Sequence, residues 1–149
     1  MYQGDKHSQL DLRLFRVWMK ASKALFDNVR QDIDRYDINP EHFMILELLY
    51  NKGPHPVQKI SETLSIPSGS ITYVVDKLEK RGYVERRPSP TDRRASNVVL
   101  TEEGNALFDE IFPKHVETIS KNLSFVSSEE KEQLIEMLKK IGYGARSLR

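Results

Sequence analysis

Apolar residues recur at Leu10, Leu14, Val17, Ala21, Leu25, Val29, Ile33 and Tyr36. This spacing predicts one helix of about seven turns. A second apolar set, Leu12, Phe15, Trp18, Met19 and Phe26, widens the stripe. A helix that is apolar on two sides packs against two bodies, so a helix shared with a second subunit is expected. The stretch "INPEHFMILELLYNKGP" predicts a second helix, with Asn39 as cap, Pro40 in the first turn and Gly53-Pro54 as its end. Val57, Ile60 and Leu64 share one side of a short third helix, "PVQKISETL". After the break "SIP", Ser68 is expected to cap a fourth helix, which buries Ile71, Val74, Val75 and Leu78 and is closed by Gly82.

"YVERR" and "SNVVL" then switch to short β-branched runs, read as two strands joined by the loop "PSPTDRRA". Thr101 is expected to cap a fifth helix carrying Glu102 and Glu103 at its start, with a bend at Pro113. Ser127 and Glu130 form the two ends of a capping box that opens a sixth helix bearing Leu134, Leu138 and Ile141. Four helices, a hairpin and two more helices give an all-α fold with a small β-hairpin. The whole of 1–149 is expected to form one domain.

Composition excludes several classes. With no cysteine there is no disulfide, thiolate metal site or thiol switch. No run approaches the roughly 18 apolar residues of a membrane span, and "MYQGDKHSQLDLRLF" has no signal-peptide pattern, so a cytoplasmic protein is expected. No nucleophile elbow, phosphate loop, dinucleotide fingerprint or metalloprotease motif is present, and the four histidines sit in separate elements. An enzyme is therefore not expected, nor a cofactor.

Charge adds a direction. The net charge is only +1, yet Lys77 to Arg94 carries seven bases against three acids, while Thr101 to Glu136 carries nine acids against three lysines. Such segregation predicts that one face meets a polyanion. Two short helices around a tight turn, followed by a hairpin, match a helix-turn-helix with a wing, whose second helix enters a DNA major groove. With the apolar face inward, Gly69, Thr72, Tyr73, Asp76, Lys77 and Lys80 turn outward. Ser68 and Ser70 stand at the helix start, where small hydroxyls allow close approach to bases or phosphate. Tyr73 suits a sugar or a thymine methyl, and Lys77 a phosphate. At the hairpin tip an arginine can enter a narrow minor groove, with Asp92 expected to hold the guanidinium straight. A winged module that binds protein instead would present an apolar or acidic helix face.

The stretch "SGSITYVVDKLEKRGYVERRPSPTDRRASNVVLTEEG" resembles the signature region of MarR-type regulators. "DKLEKRG" (Asp76 to Gly82), "DRR" (Asp92 to Arg94) and "LTEEG" (Leu100 to Gly104) come in the family's order. The resemblance implies a winged helix-turn-helix domain over about 38–100, with dimerisation helices over about 8–36 and 102–146. It implies a homodimeric repressor on a palindromic operator. Arg94 takes the tip position that enters the minor groove and Asp92 is its partner, while Ser68, Ser70, Thr72 and Tyr73 take the base-facing positions. Arg93 and Arg87 take phosphates. Most of the family bind aromatic or phenolic compounds in a cleft beside the dimerisation helices, and Trp18, Phe26, Phe43, Met44 and Tyr50 are the candidates for its lining. The "SGSITYVVDKLE" wording is similar to that of Firmicute members that answer catechols and quinones. A peroxide-sensing branch needs a cysteine that is missing here. A zinc-sensing branch shares Glu41-His42 but has paired histidines on its fifth helix, where this chain has only His115, so no metal is expected.

Overall fold

The computed structural model describes residues 1–92 and 94–149. Among the described residues six helices and three strands follow one another: α1 (Lys6–Asp34), α2 (Pro40–Lys52), β1 (His55–Pro56), α3 (Val57–Leu64), α4 (Ser68–Lys80), β2 (Val84–Pro88), β3 (Ser96–Leu100), α5 (Glu102–Asn122) and α6 (Ser128–Ser147). The helix ends follow local chemistry. Asn39 accepts from the His42 N–H, Thr101 from the Gly104 N–H, and Ser127 and Glu130 close the expected capping box. Gly53 and Gly82 both take a φ of +82°, which a side chain would strain, and each ends the helix before it.

Two expectations need correction. Pro67, not Ser68, occupies the N-cap of α4, and no side chain caps that end. Pro67 holds the extended φ of −56° and ψ of 140° that an N-cap needs, which places Ser68 inside the first turn with its hydroxyl free to point away. The sheet also has a third strand. β1 is only two residues long and lies beyond any period-two signal, yet it pairs antiparallel with β3 through His55–Val98 and Pro56–Asn97, giving the order β1-β3-β2. Pro56 is tolerated because β1 is an edge. α5 remains helical through Pro113.

One core holds the middle of the chain together. α2 lies at its centre and buries Phe43, Ile45, Leu46, Leu48 and Leu49. Around it close Ile60 from α3, the inward face of α4 (Ile71, Val74, Val75, Leu78), Val84 and Val98 of the sheet, and Phe108 and Ile111 of α5. The four-residue face of α4 is the one its spacing predicts. Gly104 is needed where α5 meets the hairpin: a Cβ there would sit 2.3 Å from the Tyr83 carbonyl oxygen. The same corner is tied by the Thr101 hydroxyl, which donates to the Gly82 carbonyl at 2.6 Å.

The two ends of the chain behave differently. α1 buries only Asp32 and Ile33, and α6 buries nothing. Leu10, Leu14, Phe15, Val17, Met19 and Phe26 of α1 are exposed, as are Leu134, Ile135, Met137 and Tyr143 of α6. Among the described residues, no helix is long and apolar enough to cross a membrane.

Candidate nucleic-acid interface

α3, the turn at Ser65 to Pro67, and α4 form the helix-turn-helix. Ser65 adopts a left-handed φ of 55°, and the buried Ser61 hydroxyl donates to the Ile66 carbonyl, so the turn is pinned from inside. α4 is then offered outward. Ser68, Gly69, Ser70, Thr72, Tyr73, Asp76, Lys77 and Lys80 are all exposed. Tyr73 stands 60% exposed on this polar face, more than a core aromatic tolerates. The Lys77 ammonium lies 4.5 Å from the Tyr73 ring centroid, so the two form one cationic, flat-faced patch. The Thr72 hydroxyl is only 3.5 Å from the Ser68 carbonyl, a weak contact that leaves it available.

The wing presents Thr91, Asp92 and Arg94 to solvent. Arg93 lies outside the described residues. Among the described residues Asp92 grips no guanidinium: its carboxylate accepts the backbone N–H of Arg94 at 3.0 Å. A short carboxylate two residues upstream reaches that N–H more readily than the end of a long side chain, which is the geometry of an Asx turn. The tip is closed further by Ser89 N–H to the Ala95 carbonyl and Ala95 N–H to the Asp92 carbonyl. Asp92 therefore shapes the backbone that aims Arg94.

The basic run divides into two kinds. Arg94, Lys77 and Lys80 are exposed, and Arg87, although paired with Glu85, keeps 64% of its side chain in solvent. Arg86 faces the other way, toward α4. Strand alternation explains the split, since Arg86 shares the side of buried Val84 and Arg87 the side of Glu85.

Behind the interface, α1 joins α5 through a buried polar network that the sequence did not signal. Asp32 is 3% exposed, and its carboxylate receives the Tyr36 hydroxyl at 2.8 Å and the Thr118 hydroxyl at 2.9 Å. His115 Nδ1 lies 3.0 Å from the other carboxylate oxygen, and its ring packs on Phe43 at 4.5 Å between centroids. Burial, then the hydrogen bond to Asp32, pushes the Tyr36 phenol up to about 12. The one available clue was an acid between Val29 and Ile33, four residues before a tyrosine. Three helices must meet before that clue acquires meaning.

His42 is buried at the start of α2, and among the described residues its Nδ1 has no hydrogen-bond partner. Burial, helped by Arg81 and Lys77, lowers its pKa below the ordinary 6.5. Folding thus favours the neutral ring. Its contribution is fully present above pH 6.5 and is lost as pH falls through the lowered value. Urea midpoints of the wild type and of His42→Leu, compared between about pH 5 and 8, should show the wild type losing stability relative to the variant toward the acid end. Parallel pH profiles for the two proteins would remove His42 as the source.

The candidate effector residues do not come together within one chain. Phe43 belongs to the core, 3% exposed and packed on Phe108, because the α2 stripe that carries it faces inward. Tyr50 packs at a tilt against Phe108 and Phe112, and its hydroxyl donates to Asp109 at 2.7 Å. Trp18, Phe26 and Met44 remain exposed. A polar cleft of about 400 Å³ lies instead between the end of α1 and α5, lined by Arg35, Tyr36, Lys114, Thr118 and Lys121 with Asp32 and Glu117.

An exposed polar helix behind a tight turn, beside a hairpin with a basic tip, defines a DNA-binding winged helix-turn-helix protein. The MarR family sequence profile matches residues 38–96. Over 139 residues the chain is 42% identical to the HTH-type transcriptional regulator MhqR of Bacillus subtilis (strain 168), covering 93% of this chain and 96% of that one. It is 32% identical over 145 residues to the transcriptional repressor MprA of Escherichia coli (strain K12), covering 94% and 82%. Among solved structures, the fold is similar to that of Sco3205, a MarR family regulator from Streptomyces coelicolor crystallised with DNA. That match has a TM-score of 0.80, 21% identity and coverage of 96% and 94%. The chain belongs to the MarR family and is a transcriptional regulator.

Proposed function

We propose that the protein is a cytoplasmic homodimeric repressor that binds a palindromic operator and is released by a small aromatic or phenolic compound. The observation that carries the reading is the pairing of two surfaces on one chain. A polar α4 face and a basic wing tip are solvent-exposed on the winged domain, while α1 and α6 expose apolar residues that a monomer would leave in water. A second copy covering α1 and α6 sets two winged domains at a fixed spacing, which is what a palindrome requires. Ser68, Ser70, Thr72 and Tyr73 then meet base edges, Lys77, Arg87 and Arg93 meet phosphates, and Arg94 enters the minor groove with Asp92 shaping the tip.

The effector reading follows from the same surfaces. Trp18 and Phe26 on α1 and Met44 on α2 are exposed aromatic or thioether groups. With a second subunit in place they offer an apolar lining for a ring. The chain has no cysteine, so release needs no oxidant.

One set of experiments tests the reading. Sedimentation at micromolar concentration should give about twice the 17.3 kDa chain mass. A gel shift on DNA upstream of the protein's own gene should show specific binding, which a phenolic compound weakens by about 1–3 kcal/mol of coupling. A persistent monomer, or equal binding to operator and random duplex, defeats the proposal. If only peroxide or zinc releases the DNA, the phenolic effector is wrong.

A further inference from the structure

Arg86 joins the wing to the recognition helix. One arm of its guanidinium lies 2.7 Å from Asp76 Oδ1 and the other 2.7 Å from Glu79 Oε1. The Arg86 backbone N–H also points at Glu79, 3.4 Å from Oε2. The arginine is the most enclosed member of the cluster, 26% exposed against 53% for Asp76 and 42% for Glu79. Asp76 and Glu79 stand one helical turn apart, so a single planar group bridges both and fixes rotation as well as distance between β2 and α4. A lysine is one point donor on a flexible stem and holds only one of the two constraints.

The consequence is that a residue within the basic run is spent internally. Its charge is balanced by two carboxylates, leaving little for a phosphate. The candidate base-facing residues lie on α4 and the candidate minor-groove arginine lies beyond β2, so the α4–β2 angle decides whether both are presented at once. A rigid angle presents the second contact once the first is made; a loose one adds an ordering cost to each binding event.

We propose that Arg86 is a positioning residue for DNA recognition, setting the angle between recognition helix and wing without contacting DNA. The inference rests on the DNA-binding reading above. Arg86→Gln frees two carboxylates and so changes both geometry and charge. Asp76→Asn/Arg86→Gln restores the net charge of the cluster while leaving the bridge broken, which separates the two effects.

Both variants should lose about tenfold in operator affinity, the size typical of coupled contacts. Affinity of the double variant for random duplex should stay within about twofold, and its salt slope should match the wild type because no phosphate contact is lost. Arg86→Lys should fall between the wild type and Arg86→Gln. If Arg86→Gln unfolds, seen by circular dichroism, Asp76→Asn/Glu79→Gln breaks the bridge from the helix side and should lower the ratio of operator to random binding. Wild-type operator affinity in the charge-matched double variant overturns the inference, as does a salt slope reduced by about one. Failure of the wild type itself to prefer the operator overturns instead the function on which the inference rests.

Discussion

Arg94→Ala is expected to weaken operator binding by about 1–3 kcal/mol, the usual cost of one specific arginine contact. The loss should be greatest over A·T-rich flanks, where a narrow minor groove concentrates negative potential around an inserted guanidinium. The slope of affinity against salt should also flatten by roughly one counterion. Arg94 is exposed at the tip of the wing, and its backbone is set by Asp92 rather than its guanidinium being held. Asp92→Ala should therefore act as a milder Arg94→Ala: the charge remains, but the tip samples more conformations and the salt slope stays near the wild-type value. Thr72→Ala supplies the contrast. It removes at most a base-edge contact from α4, so its cost falls on the operator while random duplex is bound as before. Titrations of operator, an A·T-poor variant and random duplex at two salt concentrations separate these patterns. An Arg94→Ala protein with unchanged affinity and unchanged salt slope would make the tip a solvated loop.

Asp32→Ala should produce the largest stability loss among single polar substitutions, about 3–5 kcal/mol. The carboxylate is buried and serves three partners at once, the Tyr36 and Thr118 hydroxyls and the His115 ring. Its removal leaves those groups without their shared acceptor, the His115 ring lying against Phe43 and Phe112. A domain is stable by only about 5–15 kcal/mol, so the change consumes a large share of the total. Asp32→Asn keeps one acceptor oxygen and should cost less. Denaturant unfolding at fixed protein concentration measures both, the concentration being held because the midpoint of any self-associating protein depends on it. A loss below about 1 kcal/mol for Asp32→Ala would mean that water replaces the carboxylate and that the network carries little. The network also joins α1 to α5.

The two substitutions lie at opposite ends of what a chain reveals. Helix boundaries were legible because caps act locally: Asn39, Thr101 and the Ser127–Glu130 box each satisfy N–H groups within three residues of themselves. The buried face of α4 was legible for the same reason, since Ile71, Val74, Val75 and Leu78 follow the helical period and leave the polar residues opposite. The turn chemistry around Gly82 and the order helix, turn, helix, hairpin were readable too, and with them the class of DNA-binding protein.

What remained hidden depends on contacts between distant residues. β1 exists only because His55 and Pro56 lie against β3, more than forty positions further along. Asp32 and His115 are 83 residues apart, and the acid's place between Val29 and Ile33 names no partner so far along the chain. Arg86 and Arg87 are chemically identical neighbours, and a charge count treats them alike. Strand alternation separates their faces, but only the docking of β2 on α4 turns one toward Asp76 and Glu79 while the other remains largely in solvent. By itself the sequence determined where α2, α5 and α6 start, which side of α4 is apolar, and that a basic tip follows its polar face. Tertiary structure alone decided which charges remain available to a phosphate, because a charge is neutralised by whatever the fold brings within about 4 Å, and that distance is set by packing rather than by order along the chain.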